Sequence, residues 1–531
     1  MGITEASDQR SVIPRRQMIF TMAGVMLAMF LASLDQTIVG IAMPRIVSDL
    51  GGFSQYTWMT TAYIIASAVA IPITGKLTDM YGRKYFYIGG LVIFTIASFL
   101  CGLSNSMVQI IFCRGIQGLG AGVMMANAFT VIGDLFPPSE RGKYQGLISG
   151  VFGLSSVIGP ILGGFITDAL SWHWIFFINV PLGIIIIALF FLYFPHLRPD
   201  KLRHQIDYPG AITLILAVVP LLLALSWAGV EYSWGSPQIM GMFAVSAIMV
   251  LSFLFIESRS KEPIIPLSLF RNQIVSISFL VIFFTAFGMF GSIIFVPLFF
   301  QGVLGATATT SGSFLTPMML GVVFGSIASG QVLSRAGGHY RLQGIIGIII
   351  LAIGLGLLSL LTADVGYTRA VFCIIITGVG LGITMPVFTI TVQNAVPHNV
   401  LGVATSATAF FRSIGGSVGL AIMGSVMNNR FASELITGFT GPIKNLIPQE
   451  QLASFANNPQ VLVSPEAQAQ LRTLFEQFGT QGSALFEQVL NVLRHALNAA
   501  ISDVFLVSLG AVIIALVIQF FIKEIPLQKH N

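Results

Sequence analysis

The chain has 531 residues, of which 55% are hydrophobic and only 9% charged, with a mean hydropathy of +0.86. A soluble globular domain carries about 25% charged residues, so this composition excludes one and leaves a polytopic membrane protein. The formal net charge of +5 sits in short stretches between apolar runs rather than on a soluble face, which excludes nucleic acid as a partner. Cys101, Cys113 and Cys373 all lie within apolar runs, so neither a disulfide framework nor a metal-ligand spacing can be built from them.

Crossing about 30 Å of hydrocarbon takes roughly 20 helical residues. Fourteen runs meet that length, at 17-44, 56-75, 86-104, 107-133, 143-166, 174-194, 208-229, 238-256, 273-300, 312-333, 342-361, 369-393, 401-427 and 499-522. The fold class expected is therefore an all-α integral membrane protein with 14 transmembrane helices. The first run is too long for a signal-peptide core and lacks a small-residue cleavage site, so it is read as an uncleaved anchor. Between the second and third runs lies Gly75 to Lys84, a tight connection that includes Lys76, Arg83 and Lys84. Placing that connection inside puts eighteen of the 26 Lys and Arg residues on the inner side and six on the outer, so both termini are expected in the cytoplasm of a multi-pass cell membrane protein. The long segment 428-498 then lies outside. Within it, Ser464 to Phe478 and Ser483 to Ala496 show apolar residues at helical spacing, as expected of amphipathic helices at the outer mouth or the membrane interface.

An internal repeat orders these runs. Gly118, Gly120 and Gly122 recur 260 positions later as Gly378, Gly380 and Gly382, and Pro137, Gly142, Gly159 and Gly164 recur as Pro397, Gly402, Gly419 and Gly424. A decayed copy of the Gly75 stretch stands at Gly330 to Gly338, at an offset of 255. The chain thus divides into a six-helix bundle at 1-206, two inserted helices at 207-272, and a second six-helix bundle at 273-531.

Ionisable groups inside spans are the strongest chemical signal, because a charge at the bilayer centre costs about 2.5 to 3.5 kcal/mol on the lenient scale. Three stand well inside: Asp35, Arg114 and Arg412. Asp35 and Arg114 lie at similar depth, roughly 10 to 14 Å from the outer face. They form either a static ion pair or a carboxylate that gains and loses a proton as the protein changes shape. Arg412 is central in the thirteenth run, and residues 273 to 427 contain a single acid, Asp364, in a loop. Arg412 therefore bonds backbone or amide groups, or meets an anionic group of a substrate. Gly150, Gly153, Gly159, Gly163 and Gly164 clear one helix face in the fifth run, where Pro160 bends the helix. Tyr63, Asn127, Phe287, Phe290, Phe388, Phe411 and Arg412 are the candidates for lining a substrate cavity, chosen by span and polarity. No nucleophile elbow, phosphate-binding loop or metalloprotease motif occurs, so an enzyme is not expected.

Gly75-Lys76-Leu77-Thr78-Asp79-Met80-Tyr81-Gly82-Arg83-Lys84 resembles the loop 2-3 signature of the major facilitator superfamily at every fixed position. Leu34 to Pro44, Arg114 with Gln117-Gly118, Gly150 to Gly164, Trp172-His173-Trp174 with Asn179-Val180-Pro181, and Phe411 to Gly416 are similar to motifs of its fourteen-span drug:H⁺ antiporter branch. Gly40 departs from that pattern, which has Asn there, and the extra acids that some relatives carry in spans 2 and 13 are missing. The resemblance implies a multidrug efflux protein, a monomer that exports amphipathic or hydrophobic compounds by alternating access, in exchange for protons, among membrane lipids and with no cofactor beyond the proton gradient. Asp35 and Arg114 would couple to protons. Gly75, Asp79, Gly82, Arg83 and Lys84 would form an inner gate, with Asp79 capping a helix of the other bundle and Arg83 pairing with an acid. The span 5 motif would favour export over proton-symport uptake. A lipid exporter or flippase of the same fold is the alternative.

Overall fold

The computed structural model describes residues 14–50, 55, 58–195, 205–229, 231–305, 308–335, 339–362, 365–438, 472, 473, 475 and 482–524. Among them, 14 helices are long and apolar enough to cross a membrane, and no strand occurs. In chain order they are α1 (Arg15–Leu50), α2 (Trp58–Tyr81), α3 (Arg83–Gly102), α4 (Met107–Leu135), α5 (Pro138–Ala169), α6 (Trp174–Tyr193), α7 (Tyr208–Trp227), α8 (Pro237–Glu257), α9 (Gln273–Leu298), α10 (Ala308–Arg335), α11 (Tyr340–Ser359), α12 (Tyr367–Asn394), α13 (Leu401–Gly438) and α14 (Gly482–Gln519). Polar residues set several starts. The side chains of Ser106, Asp207, Ser236 and Asn272 accept backbone N–H bonds at the beginnings of α4, α7, α8 and α9.

Two boundaries differ from those expected from apolar length. The connection after the second span is almost entirely helical, because α2 runs on to Tyr81 and α3 begins at Arg83. The single residue between them, Gly82, has φ 91°, a left-handed conformation that glycine adopts without steric cost. At the other end of the molecule, α13 and α14 continue well past the hydrophobic runs at 401-427 and 499-522. Their extensions pack on each other: Phe431 and Leu435 of α13 share a core with Val489, Leu490, Leu493 and Leu497 of α14, and Arg430 pairs with Asp503 at 3.3 Å. Helical hydrogen bonding does not stop where the apolar run stops, provided the extension finds a partner. Residues 486–496 thus extend α14 rather than forming a separate surface helix. Most of Ser464 to Phe478 lies outside the described residues.

Apolar burial follows the repeat. One large cluster joins α9 to α14, two others join α1 to α6, and a fourth seats α7 and α8 against α2 through Ile65, Val69, Leu214 and Leu222. The closest crossings are built on glycine. A side chain at Gly118 or Gly122 of α4 would strike the backbone of Tyr63 or Ser67 in α2, and one at Gly378 or Gly382 of α12 would strike Met318 or Val322 in α10. The glycines are related by the 260-residue offset and their partners by 255, so both offsets seen in the sequence meet at one pair of crossings. Gly378→Ala is expected to lower the stability of the purified protein by about 1 to 3 kcal/mol through overpacking. Gly424→Ala, with open space around the new methyl group, is expected to be neutral or stabilising by about 0.5 to 1 kcal/mol. Thermal unfolding in detergent separates the two, and equal effects would refute the glycine-crossing account.

Candidate functional site

One buried ion pair of the first half sits in a network drawn from five helices. Asp35 on α1 accepts from Arg114 Nη1 of α4 at 2.5 Å through Oδ2, and from Gln117 Nε2 at 2.9 Å and Asn179 Nδ2 of α6 at 2.8 Å through Oδ1. Gln117 Oε1 accepts from the same Arg114 nitrogen at 2.8 Å, and Asn179 also donates to Ser98 of α3. Asp35 and Arg114 are shielded from solvent, with side-chain exposures of 0% and 2%. The Tyr63 ring lies under the guanidinium with its centroid 4.2 Å away, a cation–π contact. Every partner of the carboxylate is a donor, so a proton arriving at Asp35 removes the charge that strengthens these bonds. Among the described residues, Asn179 Oδ1 and Arg114 Nε have no hydrogen-bond partner, which leaves the network spare polar atoms with which to rearrange. Tyr63 thus belongs with the ion pair.

A second polar cluster joins the two halves at the end that carries Gly82. Asp79 accepts from the backbone N–H groups of Gly402 at 3.1 Å and Val403 at 2.8 Å, at the N-terminus of α13, where the helix dipole favours an anion. Arg83 bridges Asp79 at 3.0 Å and Asp134 at 3.1 Å, and His398 stands 3.4 Å from Asp134. Gly75 lies against Ser406 and Gly402, while Lys76 pairs with Glu262 of the α8–α9 connection at 2.7 Å. Lys84 turns away to the Phe191 carbonyl of α6, 2.9 Å off. Nearby, Gln145 of α5 donates to Gln393 of α12 at 2.7 Å.

The repeat places a matching contact across the molecule. Gly330 of α10 abuts Gly142 of α5, as Gly75 of α2 abuts Gly402 of α13. Ser334, the counterpart of Asp79, donates to the Gly330 carbonyl at 3.0 Å instead of capping α5, and Asn394 is the counterpart of Asp134.

The glycine face of α5 serves two neighbours. Gly142, Gly146 and Gly153 meet α10, and beyond them Gly159 and Gly163, flanking the in-helix Pro160, meet Thr37 and Ile38 of α1. Gly150 has only ordinary contact with Val323, and Gly164 faces open space. Thr37 and Ile38 follow Asp35 on α1, so α5 touches both the α10 seam and the helix that carries the buried acid.

In the second half a cavity about the size of one water molecule lies between α9, α12 and α13, lined by Thr285, Met289, Thr384, Met385, Phe388 and Arg412 among others. Of the residues chosen by span and polarity, Phe388 and Arg412 line it. Phe287 and Phe290 instead pack on Gly419 and Gly416, and Phe411 stacks on Phe279 at 4.8 Å. Asn127 donates to the Val123 carbonyl of its own helix at 2.9 Å. His173 stacks on Trp172 at 3.6 Å, and burial holds its pKa below the usual value. Residue types and spacing do not single out Ser98, Asp134 or Glu262. Asn179 did carry a signal, as the one amide in an otherwise apolar run at 174-194.

Residues 25–420 match the family model described as Major Facilitator Superfamily. The chain is 41% identical over 515 residues to the multidrug transporter protein MdtP of Bacillus subtilis (strain 168), covering 96% of this chain and 93% of that one. It is 37% identical over 505 residues to multidrug resistance protein 3 of the same organism, covering 95% of each chain. Among solved structures, the human organic anion transporter MFSD10 (TETRAN) superposes with a TM-score of 0.60 at 12% identity, over 93% of this chain and 99% of that one. The proton:xylose symporter XylE superposes with a TM-score of 0.59, also at 12% identity, over 96% of each chain. The two structures share the fold, and the sequence matches carry the lineage: the chain belongs to the Major Facilitator Superfamily.

Proposed function

We propose that the protein is a proton-coupled antiporter that exports amphipathic and hydrophobic compounds from the cytoplasm or inner leaflet by alternating access. It works as a monomer, with no cofactor beyond the proton gradient, in a cell membrane whose inner face carries the Gly82 end and both termini. The observation that carries the reading is Asp35: a fully buried carboxylate, held by three donors from two other helices, on a helix that also touches the glycine face of α5. Buried acids within membranes are costly and mark proton paths. Release of Asp35 from Arg114 would free α1 and α4 to shift against each other, and α1 packs directly on α5. The multidrug names of the relatives in Bacillus subtilis support the substrate class. The charged contacts at the Gly82 end support a conformation closed to the cytoplasm, with Asp79 and Arg83 as its latch.

The test is transport into proteoliposomes with an acidic lumen, using ethidium, laurate and a labelled phospholipid as separate probes. Accumulation of ethidium or laurate that collapses when the pH gradient is dissipated supports antiport. Accumulation only with the opposite gradient would establish symport, and movement of the phospholipid alone would redirect the reading to lipid export.

A further inference from the structure

Arg114 and Arg412 are the two cations set deep within the bundles, and they are treated differently. The first meets a carboxylate, two amides and an aromatic face. The second has no hydrogen-bond or ion-pair partner among the described residues, and it borders the cavity between α9, α12 and α13. Its depth is roughly 16 Å from the start of α13, eleven residues along a helix that rises about 1.5 Å per residue. A guanidinium there cannot shed its proton to become neutral. Nor does the second bundle supply a counter-ion at that depth: residues 273 to 427 contain no acid besides Asp364, which falls between α11 and α12 in the sequence, and in α14 Asp503 pairs with Arg430, eighteen residues along α13 from Arg412, with Glu487 farther toward the same end. The repeat counterpart of Arg412 is Phe152, so the cation is peculiar to the second half.

We propose that Arg412 is the recognition point for the anionic group of an amphipathic substrate, whose apolar part lies against the neighbouring Met289, Met385 and Phe388. The chemistry of the cavity fits this division. Thr285 and Thr384 donate their hydroxyl protons to the Val281 and Leu381 carbonyls of their own helices, so Arg412 is the group that offers N–H donors to the cavity. A planar guanidinium matches a carboxylate or phosphate with two parallel bonds. The methionines are unbranched and adapt to apolar shapes, so the cavity can widen from its present one-water size by their rotation. This inference deepens the export reading and rests on it for the direction of movement, while the binding itself needs no gradient.

The experiment measures equilibrium binding of radiolabelled laurate and dodecyltrimethylammonium, which share a twelve-carbon chain and carry opposite charges, to the purified full-length protein. The unmodified protein is expected to prefer laurate by about tenfold or more, the scale of one charge-assisted contact. Arg412→Gln is expected to lose that preference, Arg412→Lys to keep most of it, and Arg412→Gln to unfold no earlier on heating than the parent, since it removes an unpaired, half-buried charge from a membrane-spanning helix. Equal affinity for both probes, preference for the cation, or full laurate binding by Arg412→Gln would overturn the proposal. The head-group preference of the unmodified protein decides the matter even if a variant fails to fold. Competition by phosphatidylglycerol but not by phosphatidylcholine would identify the anionic group as that of a lipid, whereas competition by neither would identify it as that of a free amphiphile. Equal competition by both would again overturn it. If laurate binds through Arg412 but no probe moves along a pH gradient, the export reading fails and this one stands.

Discussion

Asp35→Asn is expected to abolish pH-gradient-driven transport while changing folding stability by no more than about 1 kcal/mol, and the second half of that statement is the sharper one. Removing one partner of a buried ion pair that serves only structure costs about 3 to 5 kcal/mol, because the remaining charge is stranded. A protein that cycles through a protonated Asp35, however, already tolerates a neutral group beside Arg114. The surroundings permit this: Tyr63 stays under the guanidinium, Gln117 Oε1 stays bonded to it, and the partnerless Asn179 Oδ1 can turn to accept from the new amide. Thermal unfolding in detergent and transport in proteoliposomes are both required. A variant that folds and still exchanges protons for substrate would remove Asp35 from the mechanism, and one that unfolds by several kcal/mol would return the pair to a static role.

The second large effect is expected at the Gly82 end. Asp79→Ala deletes two charge-assisted bonds to the N-terminus of α13 while leaving Arg83 its bridge to Asp134. Bonds of this kind contribute about 1.5 to 3 kcal/mol each. Their loss should shift the balance away from the closed arrangement by about 100-fold, equivalent to roughly 3 kcal/mol. The residue to watch is Ser406, buried against Gly75 in the closed seam. In a Cys113→Ser background, a cysteine substituted for Ser406 should react with a membrane-impermeant maleimide about 10 to 100 times faster once Asp79 is gone. An unchanged rate would mean that the seam is held by packing alone.

The spans and the repeat were legible because bilayer thickness imposes one length on every crossing and the two halves preserve their glycines at the crossings. Asp35 and Arg114 stood out for the same reason that they are costly: a charge in an apolar run has few explanations. The joining of Asn179 and Ser98 to them did not, because both are neutral, and only the approach of α6 and α3 gives them that role. Asp134 lies at the end of α4, one residue beyond the span that apolar length assigned, and was lost at that boundary. The cavity candidates chosen by polarity scattered for a related reason. A phenylalanine on a membrane helix can face lipid, a glycine of the next helix, or a cavity, and residue type does not choose among them, whereas the lone charge of Arg412 does constrain its surroundings.

The paired glycine contacts, Gly75 against Gly402 and Gly330 against Gly142, carry one more implication. The two seams are alike in steric fit but unlike in what holds them: the Asp79 carboxylate on backbone N–H groups of α13 on one side, small side chains and backbone on the other. If the halves alternate as proposed, parting α2 from α13 breaks these charge-assisted hydrogen bonds, while α5 and α10 need only glide. On the proposed cycle the protein would behave as a casement with a clasp on one jamb and a plain sliding joint on the other, the rate of its swing being set at the clasp.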